Sequence, residues 1–171
     1  MYLSVITDAW SHKITGWYLC DDYSVQGPLK ALKMALKENK NREGLIHHSD
    51  RGVQYCSKEY VTILKKKKIK ISMTENGDPY ENALAERVNG IIKGEYLEKR
   101  YADDQTANKD VKSSIFLYNK ERLHLSIGMM TPEYVHQTGI VTKNLWKKAK
   151  TNNPIHSKGN NKHKTVNAIS P

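Results

Sequence analysis

The chain has 171 residues, 38% of them hydrophobic, and carries 28 Lys and Arg against 18 Asp and Glu for a formal net charge of +10. That length suits one domain with an extension, and the charge favours a polyanionic partner. Two cysteines without CxxC spacing exclude a disulfide framework and a cysteine-rich zinc site, and no apolar run is long enough for a membrane span. Met1-Tyr2-Leu3-Ser4 lacks the basic start and apolar stretch of a signal peptide, so a cytoplasmic protein is expected. Buried thiols are expected for Cys20 and Cys56. The charge is uneven: no acid follows Glu133, whereas Lys143, Lys147, Lys148, Lys150, Lys158, Lys162 and Lys164 do and carry most of the excess.

In chain order, Tyr2, Leu3, Val5 and Ile6 form an apolar run ending at Thr7-Asp8. Ser11-His12-Lys13 makes a polar turn, and Ile14 to Leu19 resumes with β-formers around Gly16. Two such runs with a short connection predict an antiparallel hairpin. Leu29, Leu32, Ala35 and Leu36 stand at helical spacing, with Pro28 near the helix start. Leu45 to His48 reads as a brief strand. Ser57 is placed to cap a second helix with Tyr60, Val61 and Leu64 inward, ending in Lys65-Lys66-Lys67-Lys68. Ile69-Lys70-Ile71-Ser72-Met73 alternates as a strand does.

Glu75-Asn76-Gly77-Asp78-Pro79 is a loop by composition. From Ala83, the residues Leu84, Val88, Ile91 and Ile92 define one face of a long helix, while Glu86, Asn89 and Lys93 line up on another. A further helix is predicted from about Asp110 to Glu121, burying Val111, Ile115, Phe116 and Tyr118. Past Gly139 only Ile140, Val141, Leu145 and Trp146 could anchor the chain, and from Thr151 the composition is that of a disordered segment. The division expected is 1–139 as a core and 140–171 as a basic, flexible tail. Hairpin, helix, strand, helix, strand, helix predicts a mixed α/β layered sheet.

Two acids stand out, with 35 residues between them. Asp50, in Leu45-Ile46-His47-His48-Ser49-Asp50-Arg51-Gly52, falls at the carboxyl end of a strand, where open α/β sheets place their sites. Glu86 opens a helix and shares a face with Lys93 two turns on. Carboxylates from a strand end and a helix can hold divalent metals against phosphate, beside a phosphate-gripping cation. Each has a plainer reading: Ser-Asp-Arg-Gly invites a turn, and a lone helix-surface Glu is solvated. Structural roles lead for His47 and His48, a solvated helix end for Lys65 to Lys68, loop positions for Asp21-Asp22 and Asp103-Asp104, and packing for Trp10 and Trp17. The lysine tail offers nonspecific, salt-dependent phosphate attraction.

Together the motifs resemble insertion-sequence transposases with a retroviral-integrase-type (rve) catalytic core, from about Tyr2 to Thr138. The matching pieces are Tyr2 to Asp8 with Lys13-Ile14-Thr15-Gly16-Trp17, then His48 to Tyr55, Gly77 to Glu86, and Lys93-Gly94-Glu95. Last come Tyr118-Asn119 with Arg122, His124 and Thr131-Pro132. The resemblance implies an RNase H-like fold and a DDE triad holding two Mg²⁺ (or Mn²⁺) ions for phosphodiester cleavage and strand transfer. In that family pattern Asp50 matches the second carboxylate and Glu86 the third; Lys93 matches a helix lysine at the DNA end, and Arg122 is a further DNA-binding candidate. DNA is the implied partner, with self-association or pairing with full-length transposase, and no membrane is involved.

The departures from the pattern are specific. The family's first aspartate lies on a strand preceding the Tyr2 strand, and neither that strand nor the helix-turn-helix region upstream is in this sequence. Asp8 matches the acid leading into the hairpin turn and is no substitute. The lost strand would pair between the Tyr2 and Leu45 strands, so two open inner edges and a tendency to associate are expected. Leu123 and Ile127 replace the usual proline and leucine near His124. The expectation is the C-terminal portion of a DDE transposase, inactive alone. The alternative is a non-catalytic DNA-binding or regulatory fragment that pairs with full-length transposase; an RNase H-type nuclease is disfavoured by the Asn119 to Pro132 segment.

Overall fold

A computed structural model describes residues 1–39, 43–75, 82–98, 100–140 and 165–169, the last as a backbone strand. The hairpin forms as the sequence predicts: β1 (Tyr2–Asp8) pairs antiparallel with β2 (Ile14–Cys20), from Tyr2↔Cys20 to Thr7↔Ile14, with an irregularity after Ile6. Asp8 builds the turn. Its carboxylate accepts the backbone N–H groups of Trp10 (3.1 Å) and Ser11 (2.7 Å) and the Ser11 hydroxyl (2.8 Å), leaving it 4% exposed. Lys13, buried at the turn's exit, forms ion pairs with Glu38 and with Glu133 (2.8 Å), pinning the hairpin to two helices.

The next elements are α1 (Gln26–Glu38), β3 (Ile46–Ser49), α2 (Lys58–Lys66) and β4 (Lys70–Met73). The Ser57 hydroxyl accepts from the Tyr60 N–H, the cap that stops the loop and starts α2. β3 and β4 run parallel, Ile46↔Lys70 to Ser49↔Met73. Then follow α3 (Ala83–Ile91), a π-helical turn (Ile92–Tyr96), α4 (Asp104–Lys120), α5 (Pro132–Thr138) and β5 (Thr165–Ile169).

The sheet order is β2-β1-β5-β3-β4. Helices cover both faces because successive strand residues point opposite ways. Ile6 packs with Leu29, Leu32 and Leu36 of α1 and with Tyr60 and Leu64 of α2. Leu3 and Val5 pack with Ala85, Val88 and Ile91 of α3 and with Val111, Ile115 and Tyr118 of α4. The motif pair Tyr118-Asn119 joins α4 to the hairpin. The Tyr118 hydroxyl donates to the His12 carbonyl (3.1 Å), and the Asn119 amide both accepts from the Ile14 N–H and donates to its carbonyl (2.9 Å each).

Several expectations are corrected. The two open inner edges are closed: β5 lies between β1 and β3, antiparallel to the first and parallel to the second. A stretch read as disordered by composition therefore contributes a strand; residues 141–164, 170 and 171 lie outside the described residues. Cys56 is exposed and Cys20 is half-buried: Cys20 ends β2, whose last four residues are all half-buried, and Cys56 sits on the surface loop before α2. α4 starts at Asp104 and not near Asp110. Asp103, expected to be a plain loop acid, caps it by accepting the Thr106 N–H at 2.7 Å. Phe116 is 52% exposed, since the buried stripe of α4 runs through Ala107, Val111, Ser114, Ile115 and Tyr118. On α3 the buried residue of the first turn is Ala85, and Leu84 is half-buried.

Candidate active site

Asp50 directly follows β3 and is half-buried. One carboxylate oxygen accepts the Gly52 N–H at 2.8 Å, the local turn bond that Ser-Asp-Arg-Gly predicts, so the turn and functional readings share one residue. Strand registers fix which end of the sheet this is. His48 is level with Asn167 of β5, and Asn167 with Thr7 of β1, so continuing one strand to the next puts Asp50 level with Ile169 and Val5. The carboxyl ends of β3 and β5 and the amino end of β1 form one edge.

Asp8 lies at the other edge. It is level with Val166, which is level with His47, three residues before Asp50 and two strands away. At about 3.3 Å per residue and about 4.8 Å per strand, its Cα is roughly 14 Å from that of Asp50. At that separation, and with its Oδ1 taking all three turn hydrogen bonds, Asp8 cannot complete a site around Asp50.

Glu86 is exposed in the first turn of α3, and its Cα lies about 10 Å along the helix from that of Lys93. Lys93 falls in the π-helical turn Ile92–Tyr96, which has more residues per turn than an α-helix and so rotates Lys93 off the ideal Glu86 face. It lines a groove of about 620 Å³ with Tyr2, Leu97, Arg100 and Tyr101, beside the amino end of β1, the edge that Asp50 shares. Arg122, just past α4, is half-buried and donates to Glu95 from both terminal guanidinium nitrogens, Nη2 at 3.0 Å. Sequence reasoning missed this bracing, although Glu95 belongs to the Lys93-Gly94-Glu95 motif, and it missed Arg100 and Tyr101.

Among the described residues no three or more His, Cys, Asp or Glu side chains gather where they could hold a metal ion. Two carboxylates without a third do not fit a complete two-metal site. His47, weighed as a ligand, is a core residue: its Nε2 is 2.9 Å from the Tyr60 hydroxyl, and burial pushes its pKa down to about 4. Burial, then His12 and Arg122, does the same for His124, also to about 4. His12 is lowered as well, chiefly by burial, against the pull of Asp8.

These histidines set a pH dependence. A group whose folded pKa lies below its ordinary value of 6.5 binds protons more readily in the unfolded chain, so stability falls as pH drops from 6.5 toward 4. His47 alone should cost about 3 kcal/mol across that window. Denaturant titrations at pH 7 and pH 4.5 should show this loss, and His47→Gln should reduce the difference between them.

A mixed sheet of this order, covered by helices on both faces, is RNase H-like. Two family models, each described as an integrase core domain, match residues 1–79 and 67–132, and the chain belongs to that family. It is 32% identical over 138 residues to the transposase InsF of insertion sequence IS3A from Escherichia coli (strain K12), covering 78% of this chain and 47% of that protein. The insertion element IS600 31 kDa protein of Shigella sonnei is 34% identical over 134 residues, 77% of this chain and 49% of that protein. The chain thus spans about half the length of these relatives. Among solved structures, the HTLV-2 integrase catalytic core in complex with magnesium is similar, with TM-score 0.60 and 20% identity over 79% of this chain and 84% of that one. The simian T-cell lymphotropic virus intasome chain gives 0.66 and 19% identity over 95% and 60%. These structural likenesses concern the fold. No helix among the described residues is long and apolar enough to cross a membrane.

Proposed function

We propose that this chain is the C-terminal portion of a cytoplasmic DDE transposase, the part of the catalytic core that supplies two of its three carboxylates, Asp50 and Glu86. The observation that supports this reading is the sheet edge: on an RNase H-like sheet, Asp50 follows β3 at the edge that also carries the amino end of β1, whose Tyr2 and Leu3 line the groove with Lys93. Residues 1–139 form the core portion, to which Thr165–Ile169 returns, and the lysines from Lys143 on add long-range attraction to DNA. The complete protein cleaves and joins DNA with Mg²⁺ or Mn²⁺; a divalent ion supplies charge stabilisation at the phosphate once a third acid completes its ligand set. Here Asp50 and Glu86 would be two ligands, Lys93 would contact the transposon end, and Arg122 would meet the backbone from its brace on Glu95. The proposed partners are transposon-end and target DNA, a second copy, or full-length transposase.

Because Thr165–Ile169 is part of the sheet, the lysine segment has to be neutralised and not deleted to test its role. Replacing Lys143, Lys147, Lys148, Lys150, Lys158, Lys162 and Lys164 by Gln should weaken binding to any duplex. It should also flatten the salt dependence by up to about 0.9 log units for each phosphate that is no longer neutralised. Lys93→Ala should impair transposon ends more than random duplex. An unchanged salt slope removes the lysines as DNA-binding groups. Equal weakening of both DNAs by Lys93→Ala removes its assignment to the reacting end.

A further inference from the structure

The turn from α2 into β4 concentrates positive charge. Lys65 and Lys66 end α2, Lys67 and Lys68 follow, and Lys70 opens β4; all five are exposed. Among the described residues none of the five takes part in an ion pair. The helix end does not need so many cations, because its macrodipole amounts to roughly half a negative charge. Its last carbonyls are also taken by backbone: the Lys67 N–H donates to the Ile63 and Leu64 carbonyls, the Lys68 N–H to that of Lys65, and the Ile69 N–H to that of Leu64. Lys68 moreover fills the left-handed position after the helix (φ 55), where glycine is favoured. Few acids offset the cluster. Glu59 stands at the other end of α2, and Glu38 is paired with Lys13. Glu43 lies two residues before Leu45, whose carbonyl accepts the Lys70 N–H at 3.0 Å, so one acid is set against five lysines there.

The cluster is not at the candidate active edge. Lys70 is level with Ile46, which precedes Asp50 by four positions on the neighbouring strand. At about 3.3 Å per residue and about 4.8 Å per strand, its Cα is roughly 14 Å from that of Asp50. Lys65 to Lys68 come before β4 starts, at the end of the sheet opposite Asp50. We propose that this lysine cluster is a second duplex-binding surface, which holds the phosphate backbone of DNA away from the bond that reacts. It rests on the DNA-directed reading of the chain and adds to it a contact that reads no sequence. Ammonium groups on flexible stems are point charges suited to a row of phosphates, and backbone contacts position a duplex without specifying its bases. A short lysine-rich run of this kind is a nucleic-acid patch once it is exposed and left uncompensated.

In the full chain, replacing Lys65, Lys66, Lys67 and Lys68 together by Gln should weaken binding of a labelled duplex by about tenfold or more at about 0.1 M salt. The slope of log affinity against log salt should flatten by up to about 3.6, at about 0.9 for each phosphate no longer neutralised. The loss should be equal for random and transposon-end duplexes, in contrast to Lys93→Ala. Removing four charges from other exposed positions, by changing Lys33, Lys109, Lys112 and Lys120 to Gln, should cost much less. Lys68→Gly separates binding from folding. Freed of a side chain in the left-handed region, it should melt no lower than the unaltered chain while binding about threefold more weakly. With Lys93→Ala still selective, an unchanged salt slope, a loss no larger than that of the scattered variant, or a loss confined to transposon ends overturns this proposal alone. A chain that binds neither duplex overturns it together with the reading on which it rests.

Discussion

In a full-length transposase that contains this chain, Asp50→Asn should lower transposon-end cleavage and joining by about a thousandfold, and Glu86→Gln comparably. That factor corresponds to the several kcal/mol of charge stabilisation a carboxylate-held metal supplies. Asp8→Asn separates position from charge. Asp8 sits at the opposite edge and holds the hairpin turn through Trp10 and Ser11. Its replacement should therefore lower stability while leaving the joining rate of folded protein within a few-fold. Gel separation of labelled oligonucleotide products, with melting temperature measured alongside, distinguishes the two kinds of loss.

Gly16→Ala should be the most damaging single change to the fold among the glycines of the helices and strands. Gly16 lies in β2 under α1, and an added Cβ would clash with the Ala31 carbonyl oxygen, 2.8 Å from the Ala35 nitrogen and 2.9 Å from the Ala35 Cβ. Two of those three atoms are backbone, so the helix has to shift from the sheet. Overpacking of this kind costs about 3 kcal/mol, which lowers the melting temperature by roughly 6–12 °C for a domain of this size. Gly90 in α3 is the control: a Cβ there meets nothing within 4 Å, and Gly90→Ala should stabilise by up to about 1 kcal/mol through helix propensity. Equal melting shifts for the two variants would mean that α1 does not press on β2 at Gly16.

What the sequence disclosed, and what it hid, follows the range of the forces involved. The hairpin, α2 with its Ser57 cap, and β4 were legible because turn residues, a cap and alternation act within a few positions. Asp50 was legible for the same reason, since a strand followed by Ser-Asp-Arg-Gly fixes both a strand end and a turn. The start of α4 was misplaced although Asp103 is a good cap, because two acids in a polar stretch resemble a loop until the Thr106 N–H is seen on one of them. Phe116 was assigned to the core by hydrophobicity, yet the helical stripe through Val111, Ile115 and Tyr118 turns it to solvent. β5 was not legible: five uncharged residues in a lysine-rich, polar segment carry no signal of their own, and their strand comes from the two edges that β1 and β3 leave open. The Glu95 brace on Arg122 was hidden for a related reason, as 27 positions separate the partners.

The claim that the chain holds two carboxylates of a three-carboxylate site is tested most directly by incubating it alone, with Mg²⁺ and then Mn²⁺, on a labelled transposon-end duplex. No cleaved or joined product, together with weak metal binding by calorimetry, is the predicted result. Metal-dependent strand transfer by the isolated chain, abolished by Asp50→Asn, would contradict it.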